Sequence, residues 1–207
     1  MTKLGLMTRV LLVAVVAASL QGCFAVILGG AAVGAFAATD RRTLGAQTED
    51  KEITAKANER LHAAIGDAGH VDVTSYNRKV LLTGEVRDEQ MKQQAEQEVR
   101  QVRGVQDVMN ELEIGFSSSL SSRSNDAYIT TKVRSELVAE RKLNSNAIYV
   151  NTERGTVYLL GIVTQDEGQI AAERAANVSG VQRVVKMFEY ISDDQLKQMN
   201  ALQGQRQ

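Results

Sequence analysis

One block of sequence occurs twice in this chain of 207 residues, and the duplication limits the fold more than any other feature. A repeat of this size must build one small supersecondary unit twice. Ile53-Thr54-Ala55-Lys56 returns as Ile129-Thr130-Thr131-Lys132, and Val71-Asp72-Val73 returns as Ile148-Tyr149-Val150. Val80-Leu81-Leu82-Thr83-Gly84-Glu85-Val86 returns as Val157-Tyr158-Leu159-Leu160-Gly161-Ile162-Val163, and Gly104-Val105-Gln106-Asp107-Val108 as Gly180-Val181-Gln182-Arg183-Val184. The offset stays at 76 or 77, which sets copies at 48–115 and 126–191. Between them lies Phe116 to Asn125, with six serines in ten residues, a composition expected of a flexible linker.

Each copy shows the same order of elements. In the second, Ile129, Val133 and Leu137 recur at helical spacing behind the cap candidates Asn125 and Asp126. Strands are expected near Ile148 to Thr152 and from Thr156 to Val163, with a turn at Glu153-Arg154-Gly155. A helix from about Asp166 to Val178 ends at Gly180, and a last strand runs from Val181 to Ile191. The fold class is therefore α+β: two tandem αββαβ domains, each a small three-stranded sheet with two helices packed on one face. At about 65 residues per copy the core is thin, and modest stability is expected of each. Gly84 and Gly161, inside strands, are expected to mark close approach of helix to sheet.

The N-terminus reads as an address. Lys3 and Arg9 precede an apolar run from Val10 to Leu20, which stops at Leu20-Gln21-Gly22-Cys23. Cys23 is the only cysteine, so intramolecular disulfides, CxxC motifs and thiolate zinc clusters are excluded. Leu-x-Gly-Cys after such a run resembles the lipobox of bacterial lipoproteins, in which the chain is cut before the cysteine and lipid is attached to it. Residues 1–22 would then be a signal peptide and 23–47 a lipidated apolar stalk; residues 192–207 form a polar C-terminal tail. Residues 10–38 also compete for a reading as one membrane span, but Gln21 and four glycines interrupt the run. After cleavage about 15 apolar residues remain, fewer than the roughly 20 that a spanning helix needs. Phe24 follows the cysteine where an aspartate would resemble an inner-membrane retention signal, so the outer membrane, periplasmic side, is expected.

The element order, the V-x-L-x-G-x-V strand and the later G-V-x-x-V together resemble the BON domain of bacterial periplasmic and osmotic-stress proteins. A lipobox followed by two such copies is similar to the dual-BON outer-membrane lipoproteins, over essentially the whole mature chain. The resemblance implies phospholipid binding by the second copy, a role in outer-membrane integrity and recruitment to division sites.

Composition and motifs point away from catalysis and from nucleic acid. The net charge is -1, without the basic field that phosphate neutralisation demands. Neither His62 nor His70 has a cysteine nucleophile in reach, so no catalytic residue is expected. The acid pairs Asp88-Glu89 and Asp166-Glu167 fall at helix starts, where the helix dipole favours them; no metal ligand and no cofactor is expected beyond the covalent lipid on Cys23.

The copies differ in charge, net -5 over residues 48–115 and net 0 over 126–191, so the second suits an acidic partner better. At 100° per residue, Tyr128, Thr131, Lys132, Ser135 and Val138 share a face of its first helix away from the core stripe, with Arg134 at the flank. The matching positions of the first copy, Glu52, Ala55, Lys56, Glu59 and His62, lack the aromatic ring and carry two acids. A ring and an apolar tip beside a lysine are what a headgroup-level contact uses, and an anionic phospholipid membrane is the expected partner. The same face suits a protein-interaction adaptor holding an envelope enzyme or assembly factor, and an osmotic-stress structural role without a specific ligand is the remaining class. Mass spectrometry of the mature protein is expected to find a chain beginning at lipid-modified Cys23; an unmodified cysteine behind an intact 1–22 segment would remove the anchor.

Overall fold

The computed structural model describes residues 40–204; the signal peptide, Cys23 and the stalk up to Thr39 lie outside the described residues. The first copy consists of α1 (Leu44–Ile65), β1 (His70–Tyr76), β2 (Lys79–Val86), α2 (Glu89–Arg100), β3 (Asp107–Asn110) and β4 (Glu113–Ile114). The second consists of α3 (Leu120–Ala139), β5 (Ile148–Glu153), β6 (Thr156–Val163), α4 (Gln165–Ala176) and β7 (Arg183–Tyr190), and α5 (Asp193–Gly204) follows.

In each sheet the long middle strand pairs antiparallel with its hairpin partner, β1 or β5, and parallel with the strand that returns after the helix. The first sheet interrupts its third strand. β3 and β4 lie end to end along β2, and between them Leu112 turns into the core. The helices of each copy cover one face, where α1 brings Ile53, Ala57, Leu61 and Ile65 and α3 brings Ile129, Val133 and Leu137.

Both helices begin earlier than their apolar periodicity suggests. Ser119 caps α3, its hydroxyl accepting from the Ser122 amide at 3.2 Å, so the serine-rich segment from Leu120 onward is helix rather than flexible linker. With no glycine or proline between Ser117 and Asn125, nothing there stops a helix. Asp126 is thus an interior residue and caps something else. Its carboxylate accepts from the Arg154 and Gly155 amides at 3.0 and 2.9 Å, closing the β5–β6 turn. Asp50, 76 residues earlier, does the same for Asn77 and Arg78, each at 2.8 Å. Positive φ at Asn77, Arg78, Arg154 and Gly155 is the geometry of the hairpin turns whose twist matches that of the strands.

Gly84 and Gly161 are required by strands and not by helices. A Cβ on Gly84 would lie 2.0 Å from the His70 carbonyl oxygen, and one on Gly161 2.5 Å from that of Ala147.

The other face of each sheet is not left to solvent. Leu81 and Tyr76 from the first sheet meet Tyr158, Leu160, Ile162 and Met187 from the second in one buried layer, with Met199 of α5 packed against its margin. The tail read as merely polar therefore carries a helix that contributes to the core. Every residue of β6 is buried, as is every residue of β2 after Lys79, which is the pattern of strands covered on both sides. The described residues form one compact unit.

The segment before α1 ties the copies together. The Arg41 guanidinium donates to both Glu167 carboxylate oxygens at 2.7 and 2.6 Å and to the Ile162 carbonyl at 2.7 Å, while Arg42 pairs with Asp50 at 2.9 Å and stacks over the Tyr76 ring at 4.0 Å. Residues 40–42, assigned to the stalk, are thus part of the folded body. Burial opposes ionisation of Glu167, but Arg41 and the Thr164 amide outweigh it and hold the carboxyl below its usual range. Such a group stabilises the fold in full above its unfolded pKa, and the contribution is lost as pH falls through the lower folded value. Calorimetry is expected to show one transition for both copies. Arg41→Ala should destabilise it by about 3–5 kcal/mol at pH 7, and the gap should narrow on acidification below the ordinary glutamate range; two separate transitions would contradict the shared layer.

Candidate functional site

α3 fixes its candidate face by burying the opposite one. Ile129, Val133 and Leu137 sink into the core at helical spacing, and Asp126 on the same stripe is locked to the hairpin turn, so the helix cannot rotate. Tyr128 and Val138 are left 63% and 69% exposed, and Thr131 and Ser135 are exposed between them. Hydroxyls of Thr131 and Ser135 donate back to the carbonyls of Ala127 and Thr131, at 3.0 Å each.

Lys132 is the centre of this face. Its ammonium lies 4.7 Å from the centroid of the Tyr128 ring and donates to the Ser179 carbonyl at the end of the α4 loop. Thr131, Lys132 and Ser135 form one wall of a groove of about 370 Å3, and Arg174, Asn177 and Val178 form the other. Arg174 is engaged by Glu140, whose carboxyl is held below its usual range by the Lys142 amide and the Arg174 guanidinium.

Arg134, expected at the flank, leaves this group. It donates to the Val150 carbonyl at 3.2 Å and stands 5.8 Å from the Tyr149 ring centroid, over the edge strand β5. The helix thus carries an aromatic–cation pair on each flank, Tyr128 with Lys132 and Tyr149 with Arg134. Tyr149 was not a sequence candidate, because only strand pairing brings it to the helix. Phe116 and Leu120, 98% and 80% exposed, and the exposed Arg141 and Lys142 after Val138 were also missed. An exposed apolar residue inside a serine-rich stretch was the available signal. On the first copy the matching Lys56 is paired with Glu52, and His62 is exposed in a helix without an aromatic neighbour on that face.

The remaining motifs are structural. Asp88 caps α2, accepting from the Met91 amide at 2.8 Å, and Glu167 completes a capping box with Thr164.

Comparison with known proteins identifies the repeated unit. The family model of the BON domain matches the chain twice, over residues 49–115 and 125–192. The chain belongs to the BON family. Over 174 residues it is 38% identical to the outer membrane lipoprotein DolP of Haemophilus influenzae, covering 83% of this chain and 90% of that protein. It is 30% identical over 154 residues to the 21 kDa hemolysin of Actinobacillus pleuropneumoniae, covering 73% and 79%. A solved structure of CdsD, a structural protein of the Type III secretion system of Chlamydia trachomatis, is 13% identical and covers 69% of this chain and 96% of that one, with a TM-score of 0.29. The relationship to DolP makes this a DolP-type BON protein of the outer membrane, and neither curated relative carries an enzyme's name. Among the described residues no helix is long and apolar enough to cross a membrane.

The second BON domain separates its exposed face from its core, and stability measurements should resolve the two. Tyr128→Glu is expected to change stability by no more than about 0.5 kcal/mol. Asp126→Ala, which strands two turn amides, should cost about 2–4 kcal/mol in a urea melt.

Proposed function

We propose that this chain is a non-enzymatic protein, anchored through lipid on Cys23 to the periplasmic side of the outer membrane, whose second BON domain docks onto anionic phospholipid through α3. The observation that carries the reading is the exposed Tyr128–Lys132 pair, which the first BON domain replaces with an acid-paired lysine. An aromatic ring under a cation suits the headgroup level, where one end of the side chain is wet and the other apolar. Thr131, Ser135 and Val138 continue this surface along the helix, and Arg134 with Tyr149 adds a second cation at its flank.

The energies are small. Burying Tyr128 and Val138 at about 25 cal/mol per Å2 supplies a few kcal/mol at most. Each cation near an anionic surface adds about 1 kcal/mol. A tether converts such a weak site into a working one by raising its effective concentration. Arg41, in the segment through which the tether would enter the folded body, is held by Ile162 and Glu167 of this same second domain. The family resemblance extends the role to outer-membrane integrity at division sites.

Residues 40–207 are expected to float with phosphatidylglycerol-containing vesicles and not with vesicles of phosphatidylcholine alone. Tyr128→Glu should abolish that flotation while the melting temperature is kept. Undiminished flotation of this variant would move the lipid contact elsewhere and leave α3 as a protein-docking face.

A further inference from the structure

A carboxylate stands where the repeat calls for an apolar side chain. Glu85 occupies the position of Ile162 in the matching strand, on the face of β2 that meets the second domain, and it is 0% exposed. Neither of its carboxylate oxygens accepts a hydrogen bond. Buried polar groups are almost always satisfied, and an ionisable one the more so, which makes this side chain an exception that needs a partner.

Two further unsatisfied groups surround it. His70 is the direct cross-strand neighbour of Glu85, and its Nδ1, 3.8 Å from Glu85 Oε2, has no hydrogen bond. Glu153, the last residue of β5 in the other domain, leaves its Oε1 without one. One ligand atom from each of the three residues lies within 4.8 Å of the others. Gly84 permits the arrangement, since at φ +111° it lets the His70 backbone and ring close onto β2 where a Cβ would collide.

We propose that His70, Glu85 and Glu153 bind one divalent cation, zinc by their donor chemistry, across the seam between the two BON domains. One imidazole nitrogen with two carboxylates is a borderline donor set, softer than the all-oxygen shells of magnesium and calcium. Three protein ligands leave a fourth, tetrahedral position for water. Bonds of about 2.0–2.2 Å place tetrahedral ligand atoms roughly 3.3 Å apart, so the present cluster closes by side-chain rotation alone.

The charges around the cluster allow a cation. Glu85, Glu153 and Asp72 face it, against Arg123 and Arg154; the Asp126 carboxylate is already committed to the turn amides. Arg154 is the competitor, with its Nη1 3.5 Å from Glu85 Oε1, but its side chain is 44% exposed and its Nε is also 3.3 Å from Glu113. Drawn fully to Glu113, it leaves Glu85 to the ion. His70, Asp72, Arg123 and Glu153 line a pocket open to solvent, which supplies the route.

The test uses the full chain in detergent, stripped of metal and dialysed against zinc chloride at pH 7.5, since metal binding must displace protons from its ligands. One zinc per chain is expected by mass spectrometry of the elements, with a rise in melting temperature by mass action. His70→Gln and Glu153→Gln, both near the surface, should weaken binding at least tenfold with an unchanged circular dichroism spectrum. His62→Gln and Cys23→Ser, which remove the other imidazole and the only thiol, should bind as the parent does. Failure of the parent to bind stoichiometrically, or equal binding by His70→Gln and Glu153→Gln, would overturn the site.

Discussion

The apolar layer between the two sheets is the constraint on which the rest of the structure depends. An αββαβ unit of this size covers one face of its sheet with helices and has nothing left for the other. Here each domain supplies the missing cover for its neighbour, through Leu81 and Tyr76 on one side and Tyr158, Leu160, Ile162 and Met187 on the other. Burying both faces of β2 and β6 turns two thin cores into one molecule with three apolar layers. Polar contacts then hold the register at the margins, with Asn77 donating to Glu189 at 2.7 Å and Arg183 to Glu111 at 2.8 Å.

That pairing also sorts the surfaces. With the sheet backs consumed by each other, the helical faces are what remains for partners. The two differ in the surroundings of the matching lysine, which is paired with Glu52 on α1 and rests over Tyr128 on α3. The clasp of Arg41 and Arg42 fixes Asp40 to Thr43 to the folded body, so the anchor proposed above would act on the second domain without a hinge at these residues. A weak membrane contact benefits from such a start, because effective concentration falls as slack is added.

The same seam explains why a carboxylate can persist inside it. Glu85 interrupts the apolar layer at its edge, next to the hairpin turn of the other domain, where Arg154 and His70 approach but do not satisfy it. A carboxyl group buried without a hydrogen bond costs desolvation that the isoleucine of the other copy does not.

Much was legible in the sequence. Local periodicity carries the helices and strands, since each depends on residues a few positions apart; the repeat doubles that signal, and the turn at Arg154-Gly155 and the face of Tyr128, Lys132 and Val138 follow from the same short-range rules. Family membership rests on those motifs too. What the tertiary structure alone decided are the meetings of residues far apart in the chain: Arg41 with Glu167, Arg134 with Tyr149, and His70 and Glu85 with Glu153. Even the continuous apolar run of β6, which records burial on both faces, does not name what covers it. The physical reason is that packing and desolvation depend on the surface brought opposite. A serine-rich segment read as slack and an aspartate read as a cap take their roles from contacts within the second domain, whereas Glu85 meets Glu153 only when that domain is set against the first.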